Sequence, residues 1–107
     1  DALDNIQARH VLAEACAIKN LMIVHGAISG WFGQVTVVGP GSGVFAKLYP
    51  PRAKDAPKKG NPSFTPAICA SLQATEAVKL LCGRPSSLEG KLLLMDLRTM
   101  DFTKVDI

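Results

Sequence analysis

The longest patterned stretch of the chain, residues 66–82, predicts a helix. Its apolar residues recur at helical spacing from one end to the other. Thr65 is a suitable N-cap, and Pro66 fits the first helical turn, where its missing N–H is not needed. Gly83 can take the left-handed conformation that ends a helix, and Pro85 prevents continuation. We therefore expect one helix that begins after Thr65 and ends at Gly83.

One face of this predicted helix carries only small and aliphatic side chains. On a helical wheel, that face is formed by Ala70, Ala74, Ala77, Val78 and Leu81. Small side chains let a helix approach a sheet closely, so we expect this face to pack against one. Gln73, Glu76 and Lys79 lie on the other side of the wheel, with Glu76 and Lys79 one turn apart.

A second helix is predicted near the start of the chain. Asp4 is a suitable N-cap, with Gln7 three residues later as in a capping box, and the helical spacing continues to about Lys19. Asn20 can end the helix in the left-handed conformation. Judged on this pattern alone, Asp4 is more readily explained as a cap than as a catalytic group.

Four apolar segments predict strands. Residues 21–28 form a nearly unbroken apolar run, and residues 34–38 follow after a turn, so these two segments should pair as an antiparallel hairpin. Residues 91–95 form a third strand, and residues 102–107 alternate as an edge strand does. Residues 44–65 are rich in proline and basic side chains, which favours a solvated loop.

Two local motifs suggest chemistry but are better explained by structure. His25 lies within an apolar run, so we interpret it as a hydrogen-bonded core histidine and not as a ligand. Residues 39–43, Gly-Pro-Gly-Ser-Gly, resemble a phosphate-binding loop only superficially, because the segment contains a proline and no capped helix is predicted after it.

Composition narrows the class of protein. With 107 residues, 48% of them apolar and 20% charged, the chain is one globular domain or part of one, and no apolar run is long enough for a membrane span. The three cysteines form no Cys-x-x-Cys pair and fall in predicted helices, which predicts buried, reduced thiols and a cytoplasmic setting. The net charge is only +3. The basic residues of the loop, Arg52, Lys54, Lys58 and Lys59, are not interleaved with aromatic residues, so nucleic-acid binding is not favoured.

Several segments resemble a known family. They are Ser-Leu-Gln-Ala-Thr-Glu-Ala-Val-Lys-Leu-Leu-Cys-Gly at 71–83, Asp-x-x-Asp-Asn at 1–5 with Arg9 four residues on, Gly-Ala-Ile-Ser-Gly at 26–30 and Gly-Gln-Val-Thr-Val at 33–37. Together they resemble the ThiF/MoeB/HesA family, whose members are related to ubiquitin-activating enzymes. These ATP-dependent adenylyltransferases activate the C-termini of ubiquitin-like sulfur carriers in thiamine or molybdopterin synthesis.

The resemblance implies a fold and a partial site. It covers residues 1–107 as one partial domain, the C-terminal half of a Rossmann-like α/β fold, with two helices on a mixed, mainly antiparallel sheet. By this resemblance Asp4 is catalytic and binds ATP and magnesium, Asn5 contacts the nucleotide, and Arg9 is a second catalytic-site residue that braces the loop. The glycine-rich phosphate loop of the family belongs to its other half, so ATP and magnesium would bind only with that half present.

The sequence also departs from the family. Many members carry a Cys-x-x-Cys where residues 44–47 stand here, so we expect no zinc. Residues 58–65 contain no cysteine, which argues against a covalent thioester or persulfide step. The expected partners are a ubiquitin-like sulfur carrier and a homodimer mate or another subunit that supplies the first half. The alternative is a non-catalytic binding or assembly module that uses the Trp31–Phe32 turn or a sheet edge.

Overall fold

The computed structural model describes residues 1–58 and 60–107; Lys59, part of the predicted basic loop, lies outside the described residues. The described elements are α1 (Ile6–Ile18), β1 (Ile23–Ser29), β2 (Phe32–Val38), α2 (Val44–Leu48), α3 (Phe64–Leu81), β3 (Lys91–Asp96) and β4 (Asp101–Asp106). The predicted β1–β2 hairpin is present, the two other predicted strands pair as a second hairpin, β3–β4, and both long helices are confirmed.

The four strands form one sheet in the order β1-β2-β3-β4. Each neighbouring pair is antiparallel, with Ile23 opposite Val38 in the first hairpin and Gly33 opposite Met95 between β2 and β3. In the described part of the chain, the parallel component of the predicted mixed sheet is reduced to an isolated bridge between Val37 and Glu89. β4 lies at one edge, as predicted, but it is exposed along its whole length, so its apolar residues Phe102 and Val105 do not form the buried face that an alternating pattern indicates.

Two apolar clusters hold the layers together. On one face of the sheet α3 packs over β1 and β2, and the cluster is formed by Val35, Val37, Cys69, Leu88, Met95 and Leu97. On the other face lies a cluster formed by Ile23, Val38, Val44 and Phe45, with Leu12, Ala13 and Cys16 of α1 packed against it. Burying a Val, Leu or Phe side chain contributes about 1.5–3 kcal/mol, so each cluster is a substantial part of the core.

The interpretation of residues 44–65 as a loop is wrong at its start. Residues Val44–Leu48 form the short helix α2, so the described residues contain three helices where two were expected. The reason is apolar burial. Val44 and Phe45 enter the second cluster, and a single helical turn lets both side chains face the sheet.

The predicted contact face of α3 is also wrong. Ala70 and Ala74 are exposed, and Leu81 is 87% exposed. The helix instead turns Cys69 and Glu76 inward, together with Ile68, Leu72 and Leu80. Gln73 and Glu76 accompany these apolar residues because each forms hydrogen bonds to backbone groups of other segments, as described below.

The helix ends follow the prediction at the C-termini and depart from it at the N-termini. Asn20 and Gly83 have positive φ angles, 55° and 68°, after α1 and α3. The N-cap of α1 is Asn5 and not Asp4. The N-cap of α3 is Ser63 and not Thr65, whose hydroxyl is buried and donates to the carbonyl of Gly30 at 2.7 Å.

The exposure of the three cysteines differs from the prediction. All three thiols are free, but only Cys69 is buried; Cys16 is partly exposed and Cys82 is exposed, so the expectation of three buried thiols is wrong. Among the described helices, none is both long and apolar enough to cross a membrane.

Candidate functional site

The candidate site is an open cleft of about 1250 Å³. Its walls are formed by the N-terminal segment, by residues on both faces of the sheet at one end, and by residues 53–58 and 61 between α2 and α3. Of the three site residues that the sequence suggested, Asp4 and Arg9 line this cleft, whereas Asn5 does not. Lys58, Gln34 and Gln73 also line it.

Asp4 is an exposed carboxylate at the mouth of the cleft. Its Oδ2 accepts a hydrogen bond from Lys58 Nζ at 3.0 Å, and 70% of its side chain is exposed. Its Oδ1 accepts a hydrogen bond from Asn5 Nδ2 at 3.2 Å. These two donors, Lys58 first, lower the pKa of Asp4, so the group is ionised at neutral pH. Because Asp4 does not cap α1, its carboxylate is free to bind another cation.

Asn5 takes the capping role that the sequence gave to Asp4. Its Oδ1 accepts the backbone N–H of Ala8 at 2.8 Å, which satisfies one of the unpaired amides of the first turn. Its Nδ2 is the group that holds Asp4. Asn5 therefore fixes the position of the carboxylate from behind, with the amide oxygen committed to the helix.

Arg9 is buried beneath the N-terminal segment. It donates from its Nη2 to the carbonyl of Leu3 at 2.6 Å, and its guanidinium lies 5.3 Å from the ring centre of Tyr49. Its Nε is 3.8 Å from Asp1 Oδ2 and makes no hydrogen bond within the described part of the chain. Arg9 is therefore not a solvated helix residue, and in the described part of the chain it makes no bidentate contact with a carboxylate. Arg9 braces residues 1–3 through a carbonyl and a longer-range ion pair.

A buried polar network lies under the same cleft. His25 has no exposed surface, as a satisfied core histidine should, and its Nδ1 is 2.6 Å from Asp1 Oδ2. Its Nε2 is 3.0 Å from the hydroxyl of Tyr49, which also accepts from Gln34 Nε2 at 2.9 Å. The Tyr49 hydroxyl can then donate to Nε2, so Nδ1 carries the proton and donates to Asp1.

Burial, together with the positive charge of Arg9, lowers the pKa of His25 to about 3. The charge of the N-terminal amine acts in the same direction. The ring of His25 is therefore neutral at physiological pH. A neutral ring with one donor and one acceptor ties the first residues of the chain to Tyr49, at the end of α2.

Gln73 was predicted to face away from the sheet, but it reaches into the cleft from α3. Its Nε2 donates to the carbonyls of Asp1 at 2.8 Å and Val24 at 3.2 Å. Gly26 makes this possible, since a Cβ there would overlap Gln73 and lie 2.9 Å from Cys69 Sγ. A helical glutamine opposite a strand glycine is the only sequence signal of this contact.

Described residues between α2 and α3 line the cleft and are held by polar contacts. Asp55 Oδ1 accepts the backbone N–H of Ile6 at 2.7 Å, on the first turn of α1. Asn61 Oδ1 accepts the backbone N–H of Gly30 at 2.7 Å, in the β1–β2 turn. Proline content and charge gave no indication of these contacts, because their partners are backbone groups far away in the sequence.

Comparison with known proteins identifies the family to which this arrangement belongs. The model of the ThiF family matches residues 1–107. The chain belongs to the ThiF family. The SAMP-activating enzyme E1 of Haloferax volcanii is 34% identical over 110 residues, covering 98% of this chain and 41% of the relative. The probable molybdopterin-synthase adenylyltransferase of Gracilaria tenuistipitata var. liui is 30% identical over 112 residues, covering all of this chain and 32% of the relative.

A solved structure supports the fold of the ThiF chain. The crystal structure of PaaA superposes with a TM-score of 0.66 over 94% of this chain and 40% of the other, at 15% identity. This similarity confirms the α/β fold that was expected. The chain spans less than half the length of these relatives.

An aromatic surface borders the ThiF cleft at the β1–β2 turn. Trp31 and Phe64 pack edge to face with ring centres 4.7 Å apart, and Arg98 lies 4.4 Å above the ring of Phe32. Trp31, Phe32 and Phe64 are each more than 40% exposed. The turn is therefore anchored by its own aromatic residues and still presents apolar surface to solvent.

Proposed function

We propose that this chain forms part of an ATP-dependent adenylyltransferase that activates the C-terminus of a ubiquitin-like sulfur-carrier protein. Membership of the ThiF family and relatives named as adenylyltransferases support the proposal. The observation that carries it is Asp4, a carboxylate that is ionised, exposed at the cleft, and relieved of the capping role by Asn5. The glycine-rich phosphate loop belongs to the other half of the family fold, so the complete site contains both halves.

The residues present fit a nucleotide-bound magnesium ion. Magnesium binds through one or two carboxylates and completes its shell with phosphate oxygens and water. Asp4 supplies one such carboxylate, and no group of three His, Cys, Asp or Glu residues that could form an all-protein metal site is found in residues 1–58 and 60–107. When bound, the ion would neutralise charge on the phosphates.

The reaction joins the carrier carboxylate to the nucleotide. A carboxylate oxygen of the carrier attacks the α-phosphorus of ATP, the bond from that phosphorus to the bridging oxygen breaks, and pyrophosphate leaves. Asp4 would hold the metal ion of the nucleotide, Asn5 would hold Asp4, and Arg9 would keep residues 1–3 in place beneath it. The chain's contribution is mainly positioning and electrostatics, which are the main sources of catalysis in phosphoryl chemistry.

The cleft also suggests where the partner would approach. It extends from Asp4 past Gln34 to Leu94 and Thr103 on β3 and β4, a path open to an extended chain. The exposed aromatic turn at Trp31 and Phe32 lies beside it. These features favour a ubiquitin-like carrier as partner. The exposed apolar residues of α1 and α3, such as Val11 and Val78, favour a further contact with the first half or a homodimer mate.

ATP–pyrophosphate exchange tests the proposal in the protein with both halves present. The Asp4→Asn variant should lose at least about 100-fold in exchange rate, because it removes the carboxylate charge from the metal. Asp106→Asn is the matched control, since Asp106 is an exposed carboxylate on β4 outside the cleft, and its rate should be unchanged. A near-normal rate for Asp4→Asn would contradict the proposal and favour the non-catalytic binding module.

A further inference from the structure

Lys58 pairs with Asp4, the carboxylate assigned above to the metal ion. Its Nζ lies 3.0 Å from Asp4 Oδ2, and both residues line the cleft. The other oxygen, Oδ1, is taken by Asn5. Asp4 therefore has one oxygen turned to the protein and one turned to a cation, and in this structure the cation is a lysine.

The contact is set by the chain around Lys58. Tyr49, where the segment starts, is fixed by His25 and Gln34, and its carbonyl is 2.9 Å from His10 Nε2. Asp55, three residues before Lys58, is fixed to the backbone of Ile6 at 2.7 Å. Residues 49–55 thus arrive beside the N-terminus of α1, and Lys58 is within reach of Asp4 although 54 residues separate them in sequence.

We propose that Lys58 is the counter-ion of Asp4 when no metal is bound, and that a divalent cation must displace it to reach the carboxylate. This inference rests on the proposed function, because it takes Asp4 as a metal ligand. Two cations cannot share Oδ2 at contact distance without strong repulsion. Lys58 would leave for solvent, since 83% of its side chain is exposed. Lys58 thereby sets how much metal the enzyme needs.

The consequence is measurable as metal affinity. Breaking an exposed ion pair changes an equilibrium constant by a factor of about two to five. The Lys58→Gln variant should therefore bind the metal about two- to fivefold more tightly. The gain should disappear at high salt, because exposed charge pairs are screened. Lys54→Gln is the matched control: Lys54 lines the same cleft from the same segment, but the Asp4 ion pair is made by Lys58.

The sample is the protein with both halves present, mixed with an equimolar amount of α,β-methylene-ATP. Mn²⁺ is titrated into it, and the free Mn²⁺ is followed by electron paramagnetic resonance. The expected order of affinity is Lys58→Gln above wild type, Lys54→Gln equal to wild type, and Asp4→Asn at least about tenfold below it. If Asp4→Asn weakens binding but the two lysine variants behave alike, the inference is overturned and the proposed function stands. If Asp4→Asn leaves Mn²⁺ binding unchanged, the metal role of Asp4 fails, and with it the proposed function.

Discussion

Replacing Gly26 by alanine tests the close approach of α3 to β1. A Cβ at this position would overlap the side-chain amide of Gln73 and lie 2.9 Å from Cys69 Sγ. Gln73 cannot move aside without losing its hydrogen bonds to the carbonyls of Asp1 and Val24. The substitution therefore combines overpacking with the loss of the contacts that hold the N-terminal segment beside the cleft.

The magnitude follows from these two effects. Overpacking a closely packed site costs about 1–3 kcal/mol. Two hydrogen bonds contribute about 0.5–1.5 kcal/mol each. Replacing glycine also reduces the conformational entropy of the unfolded chain, which stabilises the folded state by about 0.4–1 kcal/mol. We expect a net loss of about 2–4 kcal/mol for Gly26→Ala, measured as the free energy of urea unfolding followed by far-UV circular dichroism.

Two further variants test the reasoning. Gly60→Ala is the control, since no atom of the described chain beyond its neighbours lies within 4 Å of a Cβ there, and its stability should change by less than about 0.5 kcal/mol. In a Gln73→Ala background, Gly26→Ala should cost less than about 1 kcal/mol, because most of the overlap is then gone. If the Gly26→Ala and Gln73→Ala losses simply add, the proposed overlap is refuted.

Three other predictions concern burial. Protein stability should fall as the pH is lowered from 6.5 to about 3, because the unfolded chain binds a proton at His25 that the folded chain excludes. At pH 5 the loss is about 2 kcal/mol relative to neutral pH. A His25→Gln variant, unfolded in urea at neutral pH and at pH 5, should lack this component. Glu76→Ala should lower the free energy of unfolding by about 2–3 kcal/mol and speed hydrogen exchange at the Ser87 amide, because the buried carboxylate accepts hydrogen bonds from Ser86 Oγ and Ser87 N. Unchanged exchange would contradict this. Ala74→Leu in this chain should shift stability by less than about 0.5 kcal/mol, since Ala74 is exposed; a loss of 1 kcal/mol or more in a thermal melt would show that it is packed.

Local signals were enough to predict the strands and the C-terminal ends of the two long helices, but not their N-caps. Asn20 and Gly83 are residues that tolerate the left-handed conformation, and both end helices in that conformation. The two hairpins follow from apolar runs separated by turns. These features depend on neighbouring residues, so the sequence carries them directly.

The orientation of α3 could not be predicted from the same pattern. An alanine-rich face suggested close contact with the sheet, but the inward face carries the larger residues Ile68, Leu72 and Leu80, together with Gln73 and Glu76. Gln73 donates to a carbonyl 72 residues away, and Glu76 accepts an amide 11 residues away. Polar side chains turn inward when they find such partners, and hydrophobic periodicity does not record the partners.

The candidate site was predicted in part. The resemblance to the family selected Asp4, Asn5 and Arg9, and the structure places Asp4 and Arg9 along one cleft. Asp4 and Asn5 are equally good caps by residue type, and the backbone geometry gives the role to Asn5. The network of Asp1, His25 and Tyr49 was missed because its members are 24 residues or more apart in sequence.

The central claim is that Asp4 belongs to a nucleotide site completed by the other half of the family fold. A crystal structure of the protein with both halves, grown with magnesium and a non-hydrolysable ATP analogue, tests it most directly. The account predicts a metal ion about 2.0–2.1 Å from an Asp4 oxygen, with Lys58 displaced from the carboxylate. A nucleotide-bound metal ion elsewhere, with Asp4 still paired to Lys58, would contradict it.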